Sequence, residues 1–173
     1  AEHINLHLTV GKKGGREEAA KVREYQANRK DRDPEQQARV RLLRDFMSGY
    51  STSTCTPCAW DDREADDGMA QYQIARILSH GIQFTMIMTT DKDLRMVQGL
   101  HIHPTTYEVL TIPDGYGNLY IEERVYHLHR RTCVSPTKGT TTKLCKGIGT
   151  SFFWAQMLMG DTADNIPGLP KIS

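Results

Sequence analysis

Carboxylates gather at three places in this chain of 173 residues. Glu64-Ala65-Asp66-Asp67 opens a helical stretch, Asp91 and Asp93 alternate just past a short apolar run, and Asp161 and Asp164 follow a second apolar segment. At i, i+3, Glu64 and Asp67 share one helix face, with Asp66 beside them. Acids at a helix start also serve as caps and dipole partners, and that role would account for this group if it stood alone. Three groups, each delivered to the end of an element, ask for more. Like charges brought together need cations to hold them, and ligand sets made only of oxygen select hard ions such as magnesium or manganese.

The elements that must position these acids can be read from periodicity. Residues 4–10 alternate apolar with other side chains (Ile4, Leu6, Leu8, Val10), the period of a half-buried strand, and Gly11, Gly14 and Gly15 end it. Residues 16–30 hold good helix formers, and Pro34 begins a second helical stretch with Val40, Leu43, Phe46 and Met47 on one face. Residues 51–56 form a Ser/Thr-rich loop or edge strand. A helix follows over 64–79, with Met69, Tyr72, Ile74 and Ile77 available for packing and Gly81 as its stop. Residues 84–88 read as a buried parallel strand leading into Thr89-Thr90-Asp91-Lys92-Asp93. Residues 107–112 and 118–125 flank Pro113-Asp114-Gly115-Tyr116-Gly117, which predicts a β-hairpin. Residues 148–159 make an apolar helix, broken by Gly160 and Asp161. Strands alternating with helices predict an α/β fold with a mainly parallel central sheet flanked by helices, in which ligands bind beyond the carboxyl ends of the strands.

The formal net charge is only +1, but the charges are segregated. Basic residues recur from Lys12 to Arg44, with acids interspersed, and the stretch from Arg124 to Lys146 carries basic charges alone. A basic surface around an acidic site suits metal-dependent cleavage of a polyanion, because the flanks hold phosphate while the carboxylates hold cations. Hydrophobic residues at 38% and charged residues at 25% are ordinary for a globular domain. No apolar run approaches the roughly 20 residues of a membrane span, and no secretory signal opens the chain, so a cytoplasmic protein without membrane partners is expected. Cys55, Cys58, Cys133 and Cys145 are too few for a disulfide scaffold. Cys55-Thr56-Pro57-Cys58 has zinc-knuckle spacing and could be completed by Cys133 and Cys145 or by His127 and His129. A single such pair nonetheless reads as plain thiols. His101 and His103 read as fold or surface residues, and Phe152, Phe153 and Trp154 as core.

Glu64-Ala65-Asp66-Asp67, Thr90-Asp91-Lys92-Asp93 and the segment Gly160-Asp161-Thr162-Ala163-Asp164-Asn165-Ile166-Pro167-Gly168 resemble, in order and spacing, the three acidic motifs of bacterial and phage 5′-nucleases of the flap endonuclease family. Tyr25-Gln26-Ala27-Asn28-Arg29 is similar to the family's Tyr-Lys-x-Asn-Arg segment in the helical arch over the active site. The resemblance implies a PIN-like 5′-nuclease core over 1–160, with the arch at about 12–50 and the start of a helix-hairpin-helix at 161–173. It implies a metal-dependent 5′-3′ exonuclease or flap endonuclease acting on DNA near 5′ ends or flap junctions in replication or repair, in a bacterium or a phage-infected cell. Two magnesium or manganese ions would be held by Glu64, Asp66, Asp67, Asp91 and Asp93, with Asp161 and Asp164 completing the cluster directly or through water. Arg29 and Lys30 would position the phosphate, and Tyr25, Asn28, Arg29, Gly168 and Lys171 would bind DNA.

The departures from the family are equally specific. The arch lysine is matched by Gln26, with Lys30, Lys21 or Arg23 as substitutes. The family's first metal-binding aspartate precedes Ala1, and its second falls near residues 9–11, where no acid stands. A fragment, a diverged member or a split subunit is therefore expected, the last relying on a second polypeptide for the missing strand. The rival readings are a non-catalytic DNA-binding subunit and a PIN-like ribonuclease.

Overall fold

A computed structural model describes residues 2–10, 33–126, 140–161 and 165–170, with side chains given outside 123–126 and 140–144. The described residues are mixed α and β, arranged as small sheets with helices against them. Strand β1 (Ile4–Thr9) pairs in parallel with β2 (Cys55–Trp60), in a register that sets His7 opposite Cys58 and Thr9 opposite Trp60. Between them lies helix α1 (Pro34–Gly49), which starts where Asp33 accepts the Glu35 N–H and Pro34 supplies a pre-set φ. This helix contacts β2, but among the described residues the apolar face expected on it stays largely exposed. Leu43 and Phe46 are exposed and no residue of α1 is buried, Met47 and Ser48 being half-buried.

Helix α2 (Ala65–His80) contacts β1 and β2, and also β3 (Met86–Met88) and β4 (Gly99–Ile102). Strands β3 and β4 are parallel, and β5 (Val109–Ile112) adds antiparallel to β4. The parallel pairs expected of an α/β fold are present, yet no single parallel central sheet unites them among the described residues.

The predicted hairpin is not formed. Strand β5 pairs with β4, whereas β6 (Leu119–Tyr126) pairs antiparallel with β7 (Thr140–Gly147) in a separate sheet. The reason lies in the intervening loop. The carbonyls of Gly115 and Tyr116 accept the N–H groups of Thr150 and Ser151, the first turn of helix α3 (Thr150–Met159), at 2.9 and 2.7 Å. The loop's turn chemistry is spent on capping a helix, whose first-turn N–H groups have no intrahelical acceptors. Gly149, at φ 74°, packs so closely against this loop that an added Cβ would meet the Gly115 carbonyl oxygen at 2.9 Å.

Buried apolar side chains are Ile87, Leu94, Ile112 and Phe152, which join β3, the 3₁₀ turn at 93–96, β5 and α3. Buried Gln73 of α2 donates through Nε2 to the carbonyls of Gln98 and Leu100, at 3.2 and 3.1 Å, and so ties α2 to β4. His101 is buried as well, with Nε2 at 2.8 Å from the Val97 carbonyl, and His103 Nδ1 accepts the Thr105 and Thr106 N–H groups. Both histidines serve the fold, as the sequence reading had them. Of the aromatic trio only Phe152 is core. Phe153 is partly exposed and Trp154 more than half exposed, the two rings meeting edge to face. Positions 152, 153 and 154 are successive on the helix, so they cannot all face the same neighbour. No described helix is long and apolar enough to cross a membrane.

Candidate functional site

The chain leaves β3 through Thr89, whose Oγ1 accepts the Asp91 N–H at 3.0 Å. Asp91 Oδ1 in turn accepts the Asp93 N–H, also at 3.0 Å. These two side-chain-to-backbone bonds fold the acidic segment into tight consecutive turns just past the strand. The 3₁₀ turn at 93–96 follows, anchored by buried Leu94, and α3 packs against it.

Asp93 and Asp161 then meet through one cation. Lys92 Nζ lies 3.1 Å from Asp93 Oδ1 and 2.6 Å from Asp161 Oδ2, the latter a bond between residues 69 apart in sequence. Gln156, on α3, donates through Nε2 to the same Asp93 oxygen at 2.7 Å. The side chain of Asp161 is only 15% exposed and that of Asp93 33%, while Lys92 reaches in from solvent at 51%. Partial burial pulls the Lys92 ammonium towards deprotonation, but the hydrogen bonds and charges of Asp161 and Asp93 outweigh it and raise its pKa.

Asp161 is presented by a backbone clasp. Gly160 and Asp161 form β8 (Gly160–Asp161), paired antiparallel with β9 (Ile166–Pro167), and the Leu169 N–H reaches back to the Leu158 carbonyl at 2.8 Å. Gly160 has φ 74°, and a Cβ there would fall 2.3 Å from the Gly168 nitrogen. One on Gly168 would fall 2.1 Å from the Met159 carbonyl oxygen. Both glycines are dictated by this approach of two backbones.

The helix-start acids occupy a different setting. Glu64 and Asp67 form a reciprocal capping box at the start of α2, Asp67 Oδ2 taking the Glu64 N–H at 3.3 Å, and Asp66 Oδ1 accepts the Asp67 N–H at 2.9 Å. The Ala65 N–H is taken by Thr9 Oγ1 at 2.8 Å, from the end of β1. Behind this turn Trp60 lies against Gly68, donates to His7 Nδ1 at 3.0 Å, and carries the Arg63 guanidinium over its ring. Arg63 also pairs with Asp62, whose carboxyl this hydrogen bond holds below the usual range.

No family model, curated protein or solved structure matches this chain. The site therefore rests on its own geometry. Lys92 joins Asp93 to Asp161, and Asp91 accepts the Asp93 N–H in the turn beside them, while Glu64, Asp66 and Asp67 gather at the α2 start. Among the described residues, no three His, Cys, Asp or Glu side chains are grouped to hold one metal ion. Asp164, Lys171 and the arch residues Tyr25, Asn28, Arg29 and Lys30 lie outside the described residues, as do Cys133, His127 and His129. Gly168 is described, in the clasp. Cys55, Cys58 and Cys145 are free thiols. Three residues apart on β2, Cys55 and Cys58 point to opposite faces, and burial together with the Cys55 charge raises the Cys58 pKa.

Sequence reading missed Lys92, Gln156 and Thr9 as parts of the site. Lys92 was visible as the odd cation inside Asp-Lys-Asp, and Gln156 as the polar residue one turn before Gly160 in an apolar helix. Thr9 falls where the resemblance expected an acid, at residues 9–11, but nothing local marked its hydroxyl as the partner of the Ala65 N–H.

Proposed function

We propose that this chain is the core of a divalent-metal-dependent 5′-nuclease that hydrolyses DNA phosphodiester bonds near 5′ ends or flap junctions. The observation that carries the reading is the ammonium shared by Asp93 and Asp161, because it unites two motifs far apart in sequence into one anionic, partly buried pair. The donor chemistry suits a hard cation, since both acids of the pair offer carboxylate oxygen, the oxygens that Lys92 draws on in this structure. Asp91, Asp93 and Asp161 would hold the ions, with Glu64, Asp66, Asp67 and Asp164 as the remaining candidates. When bound, such ions supply charge neutralisation and Lewis-acid polarisation at the scissile phosphodiester.

The chain's own residues have separable tasks. Gln156 fixes the Asp93 carboxylate by donating to Oδ1, and Asp91 is fixed by the backbone of Asp93. The clasp at Gly160 and Gly168 sets where Asp161 stands. Arg29 and Lys30, with the basic run around them, would bind and orient the phosphates of the single strand.

The test is cleavage of a labelled flap DNA in magnesium or manganese, beside binding in calcium. Asp91→Ala or Asp93→Ala abolishes cleavage, while binding persists or tightens because negative charge facing phosphate is removed. Near-normal turnover by the double variant overturns the metal assignment. A second reading, a non-catalytic DNA-binding subunit, is favoured by one observation: Glu64 and Asp67 are engaged in capping their own helix. Binding without cleavage in every metal, by a chain with all acids intact, would establish it.

A further inference from the structure

We propose that Lys92 is a built-in counter-cation of this site, holding Asp93 and Asp161 together while no divalent ion is bound and leaving them when one binds. The inference rests on the metal reading above and adds a competitor to it.

Asp93 and Asp161 are delivered by unrelated elements, the 3₁₀ turn after β3 and strand β8. Two carboxylates so placed, one of them 15% exposed, repel each other unless a positive charge lies between them. Lys92 supplies that charge from within the motif itself. Its backbone, at φ −66° and ψ −30°, opens the 3₁₀ turn, and its Nζ reaches one oxygen of each acid. An ammonium takes hydrogen-bond acceptors and a divalent ion takes ligands, but both draw on the same oxygen lone pairs. Asp93 Oδ1 already accepts from Lys92 and from Gln156, so an ion that coordinates this oxygen must displace one of them. Lys92 is the one that can leave. Its stem is flexible and half exposed, so the freed ammonium regains water at low cost. Gln156 is held in the interior side of α3 and would instead be left without its partner.

Displacement has a second consequence. Released from Asp93 and Asp161, the Lys92 charge stays within a side chain's length of the site and becomes available to a bound phosphate. The site thus exchanges an internal cation for an external one and keeps a positive group beside the substrate.

The experiment uses the full chain with manganese and magnesium as probes. Calorimetric titration with Mn²⁺ compares the unsubstituted chain with Lys92→Met and Lys92→Gln, and thermal unfolding in EDTA is measured alongside. Loss of the two pairs, to carboxylates 33% and 15% exposed, predicts roughly a two- to thirtyfold tightening of Mn²⁺ binding. The same variants melt lower in EDTA, and the deficit closes when Mn²⁺ is added. Unchanged or weakened Mn²⁺ binding in a folded variant overturns the proposal but leaves the metal reading standing. Absence of Mn²⁺ binding by the unsubstituted chain, or binding that Asp93→Asn leaves unaltered, overturns both. Should the variants not fold, ¹⁵N-lysine NMR of the unsubstituted chain decides. The Lys92 Nζ–H signal, protected in EDTA, is expected to lose protection on saturation with Mg²⁺, and retained protection would refute the displacement.

Discussion

Replacing Gly68 by alanine tests how the α2 start is held. Gly68 directly follows Asp67, and a Cβ built on it meets Trp60 Nε1 at 2.3 Å, Cε2 at 2.4 Å and Cζ2 at 2.9 Å. The indole is a rigid plate wedged between α2 and His7, so it must swing out as a whole. Overpacking of this kind costs about 1–3 kcal/mol. Losing the Trp60-to-His7 hydrogen bond adds about 1 kcal/mol. Alanine returns about 1 kcal/mol through helix propensity. The net loss is about 2 kcal/mol, equivalent to roughly 4–8 °C in Tm for a domain of this size. Urea unfolding of Gly68→Ala in a Trp154→Phe background measures it, because Trp60 is then the sole indole and its emission shifts red as it is expelled. A variant more stable than its parent, with unshifted emission, would show that the ring does not pack on Gly68 and that helix propensity alone governs the position.

Gln73→Leu is expected to lose about 1–3 kcal/mol despite its greater hydrophobicity, since the Gln98 and Leu100 carbonyls lose their donor. Gln73→Glu should be worse at neutral pH, where a carboxylate faces two carbonyl oxygens, and should recover in part as acid protonates it; equal midpoints for the two in denaturant titrations at pH 7 and 5 would contradict this. His7 and His101 are both held below the ordinary value of 6.5, by burial foremost. Unfolding lets them take up protons, so stability is complete above pH 6.5 and drains away as the pH falls towards their folded values. A denaturation midpoint that stays flat on acidification, or falls just as steeply in a His7→Asn, His101→Gln double variant, would remove these groups as the cause. A zinc-selective chelator should leave the melting temperature and circular dichroism unchanged; unfolding on chelation would instead assign the thiols to a metal.

Features carried by residues close in sequence were legible, and those created by distant pairing were not. The helix from residue 65 to 80 follows from its capping acids and its glycine stop, and β1 from strict alternation. Strand β2 hid behind Pro57 and a Ser/Thr-rich approach, because parallel pairing with β1 supplies an order that local propensity lacks. The hairpin was misread because Pro-Asp-Gly-Tyr-Gly identifies a turn but not the recipient of its carbonyls. On α1 the 3.6-residue period correctly marked a helix, yet periodicity says which side is apolar and not whether anything covers it. At the site, Asp91, Asp93 and Asp161 could be singled out one motif at a time. The ammonium that joins two of them depends on α3 delivering β8 next to the 3₁₀ turn, a fact of tertiary packing with no counterpart in spacing.

The cap on α3 is made by main-chain carbonyls, so it is blind to side-chain identity and sensitive to length. Tyr116 projects into solvent at 77% exposure, and Asp114 is exposed beside it, so substitutions there leave the two capping oxygens in place. Gly115 and Gly117 are the exceptions: both have positive φ, at 131° and 67°, and a Cβ on Gly117 would meet the Ile148 carbonyl oxygen at 2.1 Å. Removing or inserting a single residue between Ile112 and Asn118 would withdraw both oxygens at once and tilt the helix that carries Gln156 and leads into Asp161. Among relatives that keep the same chemistry, this loop should therefore drift in composition outside its two glycines while its residue count stays constant.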